Sequence, residues 1–192
     1  MMAFLAGMGW FLVPMAVCSL VAVLVMVERL IALRTHNVLP PVVTERIVSG
    51  AVWEEDAAYL NSVAGRILFF FQKNRPEPDG LKAFANLEVI RLERGLFMLD
   101  VVIGAAPLLG LLGTVAGLMQ VFSGFDLDSG VRDQAAFIQG IAMALGTTML
   151  GLVIAIPAMV GSAFLYRRVD MCAAQINVGV ERLVDIGRDA SQ

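Results

Sequence analysis

The chain has 192 residues, of which 58% are hydrophobic and only 16% charged, with a formal net charge of −3. A soluble domain of this size carries about 25% charged residues, so the composition argues against a water-soluble globular enzyme. The basic residues are interleaved with acids, and no basic patch marks the chain as a nucleic-acid binder.

The apolar residues are gathered into three stretches free of Asp, Glu, Lys and Arg: Met1 to Val27, Val101 to Phe125, and Gln134 to Tyr166. A helix needs about 20 apolar residues to cross the hydrocarbon core of a bilayer. In lipid its backbone polar groups must be satisfied internally. The expected fold class is therefore an all-α integral membrane protein with three transmembrane helices. The first stretch has no Lys or Arg before Arg29, and it is about twice the length of a signal-peptide core. It reads as a retained helix over 1–28, with Pro14 near its middle.

Charge returns at Glu28-Arg29-Leu30, and Pro40-Pro41 ends this first element. Residues 42–72 mix apolar and charged positions in a helical manner, with Val48, Val52, Ala58, Leu60 and Val63 as examples. Phe69-Phe70-Phe71 closes that section. Asn74-Arg75-Pro76-Glu77-Pro78-Asp79-Gly80 reads as a loop, because it holds two prolines and a glycine. From Leu81 the spacing of Leu81, Phe84, Leu87 and Ile90 is helical again. With only Gly95 and Gly104 as weak interruptions, one continuous helix is expected from about Leu81 to Phe125. The segment 29–100 is thus a cytoplasmic helical region and 101–125 the second span. An external turn at 126–135, with Gly124 before it, leads to the third span at 136–166. The tail, 167–192, places Val169, Cys172, Ile176, Val180, Leu183 and Ile186 at helical spacing and continues the third helix into the cytoplasm.

Nine Lys and Arg lie between the first and second spans, four follow the third, and one, Arg132, lies between the second and third. The excess of basic residues marks the cytoplasmic side, so the N-terminus is outside and the C-terminus inside. Cys18 and Cys172 fall on different levels of this topology, and no disulfide is expected.

The second span carries Ala106, Gly110, Gly113, Thr114 and Gly117 along one line. The third carries Gly140, Ala144, Thr147, Gly151, Ala155, Ala158 and Ser162 on one face. Small residues in such register let helix backbones approach closely. Either close packing within one subunit or a lined cavity in an oligomer accounts for them. Neither span contains an ionisable Asp, Glu, His, Lys or Arg, although ion pathways normally do. A threonine hydroxyl is no titrating carrier at physiological pH. If this chain conducts protons, a partner must supply the carboxylate. Thr114 and Thr148 also admit a structural reading, in which the hydroxyl bonds back to a carbonyl one turn earlier near Pro107 or Pro157. His36 reads as solvated. Asp126, Asp128 and Asp133 flank the outer turn, and no metal or cofactor site is expected. No zinc-protease, nucleophile–His or phosphate-loop motif is present, so the chain is not read as an enzyme.

The run from Ala106-Pro107-Leu108-Leu109-Gly110 through Gly113-Thr114-Val115, preceded by Leu92-Glu93-Arg94-Gly95, resembles the second helix of the ExbB/TolQ/MotA proton-channel family. Gly140-Ile141-Ala142 through Thr148, Gly151-Leu152-Val153 and Ala155-Ile156-Pro157-Ala158 are similar to its third helix. Gly9-Trp10, Pro14 and Glu28-Arg29-Leu30 resemble the first helix of short ExbB-like chains. The resemblance implies a homopentameric ring whose second and third helices line a pore. There they surround the single helices of ExbD-like subunits, each bringing a membrane aspartate, and proton flow energises a TonB-like transducer. It also implies location in a bacterial inner membrane, with the N-terminus and the 126–135 turn periplasmic. Thr114 and Thr148 match the family's pore threonines, with Thr147 beside them. Pro107, Gly110, Gly113, Gly117, Gly140, Ala144, Gly151 and Pro157 fall at packing or pore-lining positions. Met143 stands where many ExbB and TolQ chains carry a glutamate, which makes the pore depend more fully on the partner's aspartate. A TolQ-like role in envelope maintenance and a non-conducting membrane scaffold are the alternatives.

Overall fold

Long apolar runs give long helices, and no strand forms among the described residues of the computed structural model, which are 11–34, 38–50, 60–123 and 134–189. The sequence readings at Gly9, Trp10, His36, Val52, Ala58, Gly124 and the 126–133 turn lie outside them. The helices are α1 (Leu12–Ala32), α2 (Pro41–Ser49), α3 (Val63–Asn74), α4 (Pro78–Glu93), α5 (Leu96–Ser123) and α6 (Gln134–Asp189). Three of these, α1, α5 and α6, are long and apolar enough to cross a membrane. The chain divides into two units: Met1–Met26 with Phe97–Ser162, and Val27–Leu96 with Ala163–Gln192.

The first unit is built on α5 and α6. Along α5 a buried stripe runs through Leu99, Val102, Ala106, Gly110 and Gly113, and along α6 one runs through Ala144, Thr147, Gly151, Ala155, Ala158 and Ser162, with Gly146 buried beside it. Both sets advance by three or four residues, the period of one helix face. α1 buries only Met15 and Ala22 and leaves Leu20, Leu24 and other apolar side chains exposed. In water that exposure would be costly. Against lipid or another apolar helix it costs little.

The second unit has an ordinary water-type core. Val43 and Ile47 of α2, Ile67 and Phe71 of α3, Leu81 of α4 and Leu183 of α6 are among its buried members. Phe70 of α3 stacks on Phe84 of α4, with ring centroids 4.1 Å apart and planes within 7°. The local start and stop signals are legible in the residues. α2 begins with Pro41 at its first position and ends at Gly50, whose φ of 79° is left-handed. Ser62 caps α3 by accepting a hydrogen bond from the Gly65 N–H at 3.1 Å. Cys172 is buried in this core, and burial pushes its thiol above the usual range against the smaller opposing pull of Arg168. Lys82 of α4 pairs with Glu181 of α6 at 2.8 Å. Both are exposed, so the bond holds the Glu181 carboxyl below its ordinary range but adds little to stability.

Glu88 of α4 is the one charged residue buried in this unit among the described residues. It is 0% exposed, and it accepts hydrogen bonds from Arg66 Nε at 2.9 Å and from a terminal Arg66 nitrogen at 2.6 Å. Arg91, one turn further along α4, also bonds to it. A buried carboxylate is tolerable only when paired in this way. The Arg66 and Arg91 side chains remain 35% and 65% exposed, so most of the desolvation cost falls on the carboxylate.

Two sequence expectations are corrected. The loop at Asn74–Gly80 shrinks to Arg75, Pro76 and Glu77, because α3 runs through Asn74 and α4 starts at Pro78. Proline has no N–H to lose at a first helical position, so it opens a helix as readily as it ends one. The single helix expected from Leu81 to Phe125 is two helices, α4 and α5, separated at Arg94-Gly95. Gly95 has a φ of 95°, a conformation that glycine alone adopts without strain. The Arg29 side chain lies where a Cβ would project, its Nε 3.2 Å from that point.

Replacing Arg66 by Met should cost about 3 kcal/mol of stability, since it removes the doubly bonded partner of a buried charge. Glu88→Gln should cost only about 1 kcal/mol, because the arginines that it releases reach water. Denaturant unfolding of the two variants in detergent measures the difference. Equal losses would contradict the assignment.

Candidate functional site

The site lies within the first unit, where α5 and α6 run antiparallel in close contact. Their register is set by positions without side chains. A Cβ placed on Gly110 would stand 2.8 Å from the Thr147 carbonyl oxygen, and one on Gly151 would stand 2.5 Å from that of Ala106. A Cβ on Gly113 would meet Thr147 Oγ1 at 2.8 Å, and one on Gly117 would meet the Ala144 Cβ at 2.9 Å. At Gly140 it would strike the Val121 side chain. Backbone thus touches backbone across the pair, the arrangement expected of small residues in membrane helices.

That approach brings three hydroxyls together. Thr147 Oγ1 lies 2.9 Å from the Gly110 carbonyl and 2.7 Å from the Ala144 carbonyl. Thr148 Oγ1 lies 3.2 Å from the Gly110 carbonyl. Thr114 Oγ1 lies 3.1 Å from the same carbonyl, 3.0 Å from that of Ala144 and 3.3 Å from Thr147 Oγ1. It also contacts Thr148 Oγ1 within bonding distance. Three protons therefore serve two carbonyls and one another. More acceptors than protons are present, so the donors can be redistributed without leaving a hydroxyl unpaired.

The structural reading, a bond back to a carbonyl one turn earlier, is met at Thr114, whereas Thr148 bonds across to the Gly110 carbonyl of α5. Thr114 also reaches across to α6. Thr147 is 3% exposed and sits inside the seam. Thr114 and Thr148 are half-buried, so each keeps one side open. Pro107 is half-buried beside Gly151, its Cα 3.3 Å from where a Gly151 Cβ would stand. Pro157 is exposed, between the buried Ala155 and Ala158, and takes no part in the α5–α6 seam. Met143 is half-buried on α6.

One polar contact in this unit escapes a reading of acid-free stretches. Ser162 Oγ donates to Asp100 Oδ1 at 3.2 Å. Asp100 precedes the uncharged run that starts at Val101, yet it belongs to α5 and to its apolar span of Leu96–Phe122. The sequence signal was a buried-face serine, Ser162, at the end of the α6 small-residue stripe.

Alanine at Gly110 or Gly151 would press on backbone, which no rotamer relieves, and should destabilise the helix pair by about 1–3 kcal/mol. At Gly104 nothing lies within 4 Å of the added Cβ, and alanine there should be neutral or slightly stabilising. Thermal unfolding in detergent of the three variants tests the contrast, and a harmless Gly110→Ala would refute the register.

The MotA/TolQ/ExbB proton channel family profile matches residues 70–177, which include the α5–α6 pair. The biopolymer transport protein ExbB of Helicobacter pylori is 32% identical over 119 residues, 60% of this chain and 77% of that protein. An ExbB homolog of Methanothermobacter thermautotrophicus is 37% identical over 112 residues, 58% of this chain and 39% of its own length. An ExbB-like protein of Synechocystis is 37% identical over 122 residues, 60% of this chain and 47% of its own length. The chain therefore spans about three quarters of the first relative and less than half of the other two. The chain belongs to the MotA/TolQ/ExbB proton channel family, is closest in kind to its ExbB members, and is a membrane protein.

Proposed function

We propose that the chain is the ExbB-like subunit of a proton-driven motor, and that it works with an ExbD-like single-span partner carrying a membrane aspartate. The observation that carries this reading is the threonine cluster on α5 and α6. It is a polar site in a membrane span, half open at Thr114 and Thr148, and the runs Val101–Phe125 and Gln134–Tyr166 around it hold no Asp, Glu, His, Lys or Arg. A hydroxyl donates to a carboxylate and accepts from a carboxylic acid. The cluster therefore suits both protonation states of a carboxyl that it does not itself contain.

On this reading the ring is a homopentamer in a bacterial inner membrane, with its N-terminus periplasmic and its C-terminus cytoplasmic. Arg29, Arg34, Arg46, Arg66 and the other basic residues between the first two spans support that orientation. Thr114 and Thr148 present hydroxyls to the partner. Thr147, whose proton is taken up inside the seam, holds them in place. Pro107, Gly110, Gly113, Gly117, Gly140, Ala144 and Gly151 let the two helices close on one another, and Pro157 faces outward from that seam. Met143 leaves the partner's carboxylate without a second acid at its level. The output is the energising of TonB-dependent transport at the outer membrane.

The energies are compatible. Each charge crossing about 100 mV releases about 2.3 kcal/mol, and an interhelical hydrogen bond in a membrane contributes about 0.6–2 kcal/mol. Protonating or deprotonating one carboxyl is therefore enough to change which hydroxyl it prefers.

Thr148→Val keeps the shape and removes the hydroxyl. Energy transduction in cells should fall to a small fraction of wild type, while the mass of the detergent-solubilised complex with its co-encoded single-span partner stays that of a pentamer with bound partner. A monomer or dimer that ignores the partner, or an unaffected Thr148→Val, would leave the chain as a packing scaffold.

A further inference from the structure

We propose that Asp100, held by Ser162, is a proton-accepting group of this chain at the mouth of the pathway nearest the N-terminal end of α5. The proposal rests on the motor reading above and adds a titratable residue to a pathway that otherwise has only the partner's acid. Asp100 lies within the Leu96–Phe122 apolar span. It stands four residues from the start of that span, and a carboxylate near the end of a membrane span is placed against water or a partner rather than lipid. Asp100 is exposed on the single chain, whereas Ser162, which donates to it, is 4% exposed. Ser162 thus reaches Asp100 from inside the seam, while Asp100 itself is accessible from outside it.

Position along the helices supplies the second argument. Asp100 stands fourteen residues before Thr114 on α5, and Ser162 stands fourteen residues after Thr148 on α6. The Asp100–Ser162 bond therefore repeats, in the same antiparallel register, the Thr114–Thr148 contact. Fourteen residues are nearly four turns, so the two pairs share a face about 21 Å apart. Between them the seam is filled by Ala106, Gly151, Ala155 and Ala158, all buried, and neither helix offers another acid or base. For a proton leaving the threonine level toward this end, Asp100 is the first group on either helix able to take it up. The carboxylate accepts the proton from pathway water, becomes the neutral acid, and returns it to water at the mouth, so that charge and protons balance over one cycle.

Asp100→Asn separates the two roles, because its amide oxygen still accepts the Ser162 hydrogen bond but carries no proton. The wild type, Asp100→Asn and Asp100→Glu are each purified with the co-encoded single-span partner, weighed, and reconstituted in liposomes for proton flux. The expected result is a fall of at least about tenfold for Asn at unchanged complex mass, with flux restored to near wild type by Glu. Flux in the Asn variant within about twofold of wild type would overturn the proposal. So would an equal loss in Glu, or a failure of the Asn variant to assemble, since either would make the residue a structural one. A silent wild-type complex would instead remove the motor reading itself, which distinguishes the two failures.

Discussion

Three threonine hydroxyls converge on the carbonyl of Gly110, and the two from α6 reach it only because position 110 has no side chain to hold the helices apart. In a helix this oxygen already accepts the N–H of the residue four positions on. Its remaining lone-pair direction is what α6 approaches. The same closeness is required above and below, at Gly117 against Ala144 and at Gly151 against the Ala106 carbonyl. The register of α5 on α6 follows from these contacts. So does the arrangement of hydroxyls at Thr114 and Thr148, which remain half open. Moving the helices apart by the width of one methyl group would break the bonds of Thr147 and Thr148 to the Gly110 carbonyl and of Thr114 to the Ala144 carbonyl, and would leave only the bonds within each helix.

The two units stand on different physics. The unit formed by Val27–Leu96 and Ala163–Gln192 is held by apolar burial and by a carboxylate, Glu88, that is pinned between two arginines. Removing apolar area from water drives its packing. In the other unit that drive is weak, because lipid tails are as apolar as leucine, and packing through small residues and shared hydroxyls takes its place. The exposed apolar face of α1 fits the second setting and would be a liability in the first.

Much of this is legible in the residues. Acid-free runs of bilayer length mark the spans, and the stripe Gly140, Ala144, Thr147, Gly151, Ala155, Ala158 and Ser162 coincides with the face that α6 turns to α5. Local backbone choices are less legible. Pro78 looks like a loop residue because proline ends helices, although at a first helical position it starts one. Gly95 looks like a weak interruption of a helix because periodicity continues on both sides, while its positive φ and the Arg29 side chain lying where a Cβ would project are features of the folded chain alone. Asp100 is missed for a different reason. A span delimited by the nearest charge ends at Val101, but α5 begins at Leu96, and the hydrogen bond from Ser162 on the opposite helix is not visible in sequence spacing. Which of three threonines stays open cannot be read from spacing either, since it depends on how deep each sits in the seam.

The threonine cluster has donors and acceptors in supply but no group that carries a proton, and from this the dependence on a second chain follows. The most direct test is passive proton flux under an imposed membrane potential in liposomes containing this chain alone, compared with liposomes that also contain its single-span acidic partner. Flux only when the partner is present is the expected result. Flux through this chain alone, at the rate seen with the partner, would contradict it and would require a proton carrier of the chain's own at the threonine level, which Asp100, fourteen residues away on α5, does not supply.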